Sequence, residues 1–136
     1  MDIFSVRGHG LYVNTAYYLA AREASTLAGA LRIKDVGRYW EKRAARLKDS
    51  INERLWLDIK RTIGRLIKTR RMASEWEYAY MEQLLKIGRL PFYFAFLGFK
   101  EAGTYFDTFG NLLAILTGVA DKHRANSILD YIDEVG

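Results

Sequence analysis

Two stretches with a helical apolar repeat, separated by four residues, constrain this chain more than anything else in it. In "LYVNTAYYLAAREASTLAGAL", residues 11–31, Val13, Ala16, Tyr17, Ala20, Ala24, Leu27, Ala28 and Leu31 recur at the three-four spacing that lines one face of a helix. In "VGRYWEKRAARLKDSINERLW", residues 36–56, the stripe is Val36, Trp40, Ala44, Leu47, Ile51 and Leu55, with Glu41, Lys42, Arg46, Lys48 and Asp49 on the other side. "RIKD" between them makes a short turn, and Asp35 is placed to be the N-cap of the second helix. A link this short folds two amphipathic helices antiparallel, so residues 11–56 read as an αα-hairpin.

The design returns at the C-terminal end. "YFDTFGNLLAILTGVAD", residues 105–121, sets Asp107, Thr108, Gly110 and Asn111 against a nearly unbroken apolar run. A helix over 109–119 that is apolar almost all round is expected to be buried on most sides. Gly118 lies near its end, and Asp121 is placed to cap an amphipathic helix over 122–134 with Ala125, Ile128, Leu129 and Ile132 inward. Residues 107–136 therefore form a second hairpin, inner helix then outer helix. Two such hairpins in one chain suggest a stacked or toroidal αα array.

The middle, residues 57–106, is less regular. "RTIGRLIKT" has the β-branched content of a short strand. Ser74 with Glu77 has capping-box spacing, so "EWEYAYMEQLLKI" is expected to be a helix stopping at Gly88. "LPFYFAFLGF" holds the only proline and reads as a strand or extended segment packed under the helices. The expected fold class is all-α, one helical domain over 1–136, with an irregular or β-like segment in the middle.

Composition narrows the function classes. Half of the 136 residues are apolar, which argues against disorder. No run approaches the length of a membrane span, and "MDIFSVRGHG" does not read as a signal peptide. With no cysteine there are no disulfides or thiolate metal sites, and a cytoplasmic setting is expected. His9 and His123 have no metal-ligand spacing, and neither a phosphate loop nor a nucleophile elbow is present, so no metal or cofactor is expected. The net charge is +5, and Lys60, Arg61, Arg65, Lys68, Arg70 and Arg71 form a run without an acid. That run reads first as a solvated connection and second as a stripe for nucleic acid or an acidic partner. Membrane association is not expected, and nucleic acid is the lesser reading.

The first pair of stretches resembles an inner-outer helix pair of the six-hairpin, (α/α)6-toroid glycosidases, a superfamily that includes amylo-1,6-glucosidase-type debranching enzymes, α-L-rhamnosidases and neutral invertases. The resemblance is carried by Asn14, Tyr17 and Tyr18 at the start and by Ile51, Asn52, Leu55 and Trp56 at the end. "FDTFGNLLAILTGVAD", with Gly110 and Asn111, resembles the start of the following inner helix. It covers residues 8–58 and 104–136, and it implies a carbohydrate-active hydrolase whose ligand sits over one end of the inner helices. A closed toroid of six hairpins, with helices of about 10–14 residues and loops of about 4–6, needs at least roughly 170–240 residues. A chain of 136 is then expected to be a segment or reduced relative, not catalytically complete alone.

Sugar chemistry needs two carboxyl groups across the scissile bond and flat apolar faces for the rings. Candidate substrate contacts are Tyr12, Asn14, Trp76, Asp107 and Asn111. Each has a structural alternative. Asp107 suits an N-cap, Asn111 suits a bond to a neighbouring loop, and Trp76 suits packing against Tyr80. Glu75 and Glu77 flank Trp76, and Glu77 also closes the capping box. No catalytic pair is assigned. A third class is an assembly subunit. An inner helix with Leu112, Leu113, Ile115 and Leu116 on view would be a large apolar patch, expected to be covered by another copy, most simply across a two-fold axis, or by a partner chain supplying missing hairpins.

Overall fold

The computed structural model describes residues 9–56, 88–97 and 102–135. The expected helix over 75–87, the strand-like "RTIGRLIKT", Trp76 and the basic run from Lys60 to Arg71 lie outside the described residues. The elements in chain order are β1 (His9–Gly10), α1 (Leu11–Ala30), α2 (Lys34–Arg54), β2 (Phe94–Leu97), β3 (Ala102–Phe106), α3 (Thr108–Leu116) and α4 (Lys122–Val135). The molecule is mostly helical, with a small three-stranded sheet whose central strand lies in the middle segment expected to be β-like.

α1 and α2 are antiparallel. Ser25 Oγ donates to Gly37 O at 3.0 Å, and Arg43 Nε donates to Tyr17 OH at 3.1 Å. Gly37 faces Ser25 O and Ala28 Cβ of α1, where an added Cβ would make ordinary contacts at 3.7 and 3.8 Å. The turn is a Schellman closure. Arg32 N donates to Gly29 O and Ile33 N to Ala28 O, with Arg32 in the left-handed region at φ 59. Gly118, at φ 74, has the same place after α3, where its N–H reaches Ile115 O.

α1 and α3 run parallel. Tyr12 meets Phe109 near their N-terminal ends, and Arg22 Nη1 donates to Thr117 O near the end of α3. Gly110 brings α3 close. A Cβ there would lie 2.9 Å from Leu11 Cδ2. Leu11, Tyr18, Ala21, Ala44, Ile51, Leu55, Trp56, Phe92, Tyr93, Ala114, Val119 and Ile128 make one core joining both helix pairs to the middle segment.

The aromatic segment behaves as expected. Phe92 to Phe96 are buried, and β2 is the centre of an antiparallel sheet ordered β1-β2-β3. His9 pairs with Leu97 and Phe94 with Phe106, with an irregularity between Phe94 and Phe96. Phe94 N donates to Leu55 O at 2.9 Å, which ties the sheet to the end of α2. Gly103 leaves room for the Phe96 ring, which a Cβ would meet at 2.5 Å.

Four local expectations need correction. The N-cap of α2 is Ile33. Asp35 sits inside the first turn, where it pairs with Arg38 at 3.1 Å. The buried face of α1 is Leu11, Thr15, Tyr18, Ala21 and Ala28. The expected stripe instead lies largely in solvent, with Val13 64 %, Leu27 61 % and Leu31 61 % exposed. α3 is buried along one face only. Gly110, Asn111 and Ala114 are buried, while Phe109 is 69 % and Leu116 82 % exposed. On α4, Ile128 is the buried anchor, while Leu129 is exposed.

Candidate functional site

Because α1 and α3 are parallel, their first turns share one end of the molecule. There the rings of Tyr12 and Phe109 meet edge to face, 5.4 Å between centroids, and both remain largely exposed. Asp107 closes this end. It is the N-cap of α3, and its Oδ1 accepts from Gly110 N at 3.0 Å. The expected cap is therefore present, and Asp107 lies at the same end as Asn14. Its carboxylate is already engaged by an orphan N–H of the helix.

Asn14 lies on the opposite side of α1 from Tyr12. Its Nδ2 donates to Gly10 O at 2.7 Å, and it lines a crevice of about 210 Å³ with His9, Leu47, Ser50, Ile51, Arg54 and Leu55. Tyr12 and Asp107 do not line that crevice, so the described candidates do not converge on one concavity. A wider, open depression of about 340 Å³ lies between α1 and α2, over Tyr18, Arg22, Glu41 and Lys48.

Asn111 is wholly inside. Its Oδ1 accepts from Tyr93 N at 2.9 Å, and its Nδ2 donates to Tyr93 O at 3.2 Å and to Asp107 O at 2.9 Å. The amide pairs with the Tyr93 backbone as a neighbouring strand would, and it has no exposed atom to offer a ligand. The bond to a neighbouring segment, one of the two readings of this residue, is its role.

Of a second polar cluster the sequence had signalled only Asn52 and Trp56, through the resemblance, and Asp121 as a cap; Tyr93 and Arg124 had no signal. Tyr93 OH donates to Asn52 Oδ1 at 2.6 Å, and Asn52 Nδ2 donates to both Lys48 O and Val119 O at 3.0 Å. Trp56 packs edge to face on Tyr93 at 4.8 Å, and Arg124 stacks over the Trp56 ring. Burial pushes the Tyr93 phenol well above the usual tyrosine range, against the opposing pull of Arg124. The phenol therefore stays protonated and acts as a donor. Asp121 caps α4 by accepting from Arg124 N at 2.9 Å and also pairs with the Arg124 guanidinium. That backbone bond, chiefly, holds its carboxyl below the usual carboxylate range. The cluster clamps α2, the aromatic segment and the α3–α4 turn together, which is a structural task.

Among the described residues no group of three or more His, Asp or Glu is placed to hold a metal ion. Among them, too, no helix is long and apolar enough to cross a membrane. Comparison with known proteins finds no match: no family model, no curated protein and no solved structure is similar to this chain.

Proposed function

We propose that the chain is a segment or reduced relative of a carbohydrate-active glycoside hydrolase of the (α/α) toroid kind, completed by further hairpins and not catalytically complete alone. The observation that carries this reading is the parallel pair α1 and α3. α1 is followed by an antiparallel outer helix, and α3 by α4 across a short turn. Their N-terminal ends lie together beneath Tyr12 and Phe109. That repeat of inner and outer helices is what the sequence resemblance implies. The exposed aromatic pair supplies an apolar face of the kind on which a sugar ring stacks. Asp107 and Asn111 serve the scaffold beneath it, and the acid and base belong to parts of the assembly other than these two side chains.

The test is an oligosaccharide panel followed by amide chemical shifts. At least one neutral oligosaccharide is expected to move Tyr12 and Phe109, with no turnover by the chain alone. A panel that leaves both residues unmoved removes the carbohydrate reading.

A further inference from the structure

The crevice beside Asn14 has no part in the carbohydrate reading, and its lining has a chemistry of its own. Leu47, Ser50, Ile51, Arg54 and Leu55 follow one another at spacings of three, one, three and one, so they share one face at the end of α2. The antiparallel hairpin sets the start of α1 against that face, which adds His9 from β1 and Asn14 from α1. Leu47, Ile51 and Leu55 make an apolar floor, and the last two are almost wholly buried. Polar groups stand at the rim. Asn14 Nδ2 is held by Gly10 O. The Ser50 hydroxyl, the Arg54 guanidinium and the His9 imidazole have no hydrogen-bond or ion-pair partner among the described residues. No carboxylate lines the crevice. Asp49 and Glu53 are close in sequence, but at 3.6 residues per turn they fall on the opposite side of α2.

We propose that this crevice binds a small carboxylate with a short apolar tail. Arg54 presents paired N–H groups that match two carboxylate oxygens, and Ser50 and His9 add donors beside it. The tail lies on the floor of leucine and isoleucine. A volume of about 210 Å³ holds roughly seven water-sized groups, which suits a molecule the size of butyrate. Inorganic phosphate would meet the same donors but leave the floor uncovered. A neutral molecule would leave the guanidinium unanswered. The crevice and Tyr12 lie on opposite sides of α1, so the site stands whether or not the carbohydrate reading holds.

Sodium butyrate titrated into the full chain at constant ionic strength, followed by nuclear magnetic resonance, tests this. The signals of His9, Ser50 and Arg54 and the methyls of Leu47 and Ile51 are expected to move together and to saturate at about millimolar concentration. Butyramide, the uncharged isostere, is expected to bind at least about tenfold more weakly, and Arg54→Gln to weaken butyrate by about the same factor. Arg54 is exposed, and unchanged signals away from the crevice show that the variant is folded. Shifts that never saturate, or that sodium phosphate reproduces at the same concentration, would reduce the crevice to a diffuse cationic surface and overturn the proposal. Butyramide binding as tightly as butyrate, or undiminished binding by Arg54→Gln, would overturn it too, since the charge would then have no role.

Discussion

Replacing Asn111 by alanine is the sharpest test of how the helices hold the aromatic segment. The substitution removes the only described partners of the Tyr93 N–H and C=O, in a residue with no exposed surface. Asp107 O keeps a partner, because Asn111 N still donates to it at 3.0 Å. The cost is thus two buried, unsatisfied backbone groups, at about 1–3 kcal/mol each. A loss of about 2–6 kcal/mol is a large share of the roughly 5–15 kcal/mol that holds an ordinary domain together. Urea unfolding followed by circular dichroism measures it, with the midpoint shifting and the slope kept. Asn111→Asp supplies the internal control. It keeps the acceptor for Tyr93 N but turns a second oxygen toward the carbonyls of Tyr93 and Asp107. Burial would raise the folded pKa of that carboxyl above its unfolded value of about 3.9. The variant should then be most stable below that pH and lose stability as pH rises through its folded pKa. A loss under about 0.5 kcal/mol for Asn111→Ala, with an unchanged slope, would refute the claim that this amide carries the anchoring.

Asp107→Ala should cost about 0.5–2 kcal/mol in the same assay, the ordinary loss of an N-cap. Gly110→Ala should cost about 1–3 kcal/mol, since its Cβ would meet both Leu11 and the Asp107 carboxylate, and the double variant should cost less than the two singles together. Arg32→Gly should stabilise by about 0.5–1 kcal/mol, by relieving a side chain held at positive φ. The Asp121 cap should give a small stabilisation, present above the ordinary carboxylate pKa and lost as pH falls through its lowered folded value. An Asp121→Asn comparison across that range would show it. Filter binding to nonspecific RNA at physiological salt should find nothing tighter than about 10⁻⁴–10⁻⁶ M, and a tighter, steeply salt-dependent constant would favour the basic run as a nucleic-acid stripe.

Features decided within a few residues were legible in the sequence. The caps at Asp107 and Asp121, the turn at Gly118 and the extents of α1 and α2 all depend on groups three or four positions apart. Their hydrogen bonds form wherever the segment lies. The apolar content of residues 92–96 likewise pointed to a strand or extended segment packed under the helices, and they are buried. What periodicity could not choose was which side of α1 faces inward. Its apolar residues occur on more than one side, and only the positions of α2 and α3 bury the side with Leu11, Thr15 and Tyr18. Asn111 was readable as a ligand contact or as an anchor for a neighbouring loop. It became an anchor because tertiary packing set Tyr93, eighteen residues away in sequence, against its amide. β1, two residues long, has no pattern of its own and is a strand only because Phe96 and Leu97 lie beside it. A backbone hydrogen bond within one turn is a property of the segment, whereas burial is a property of its neighbours.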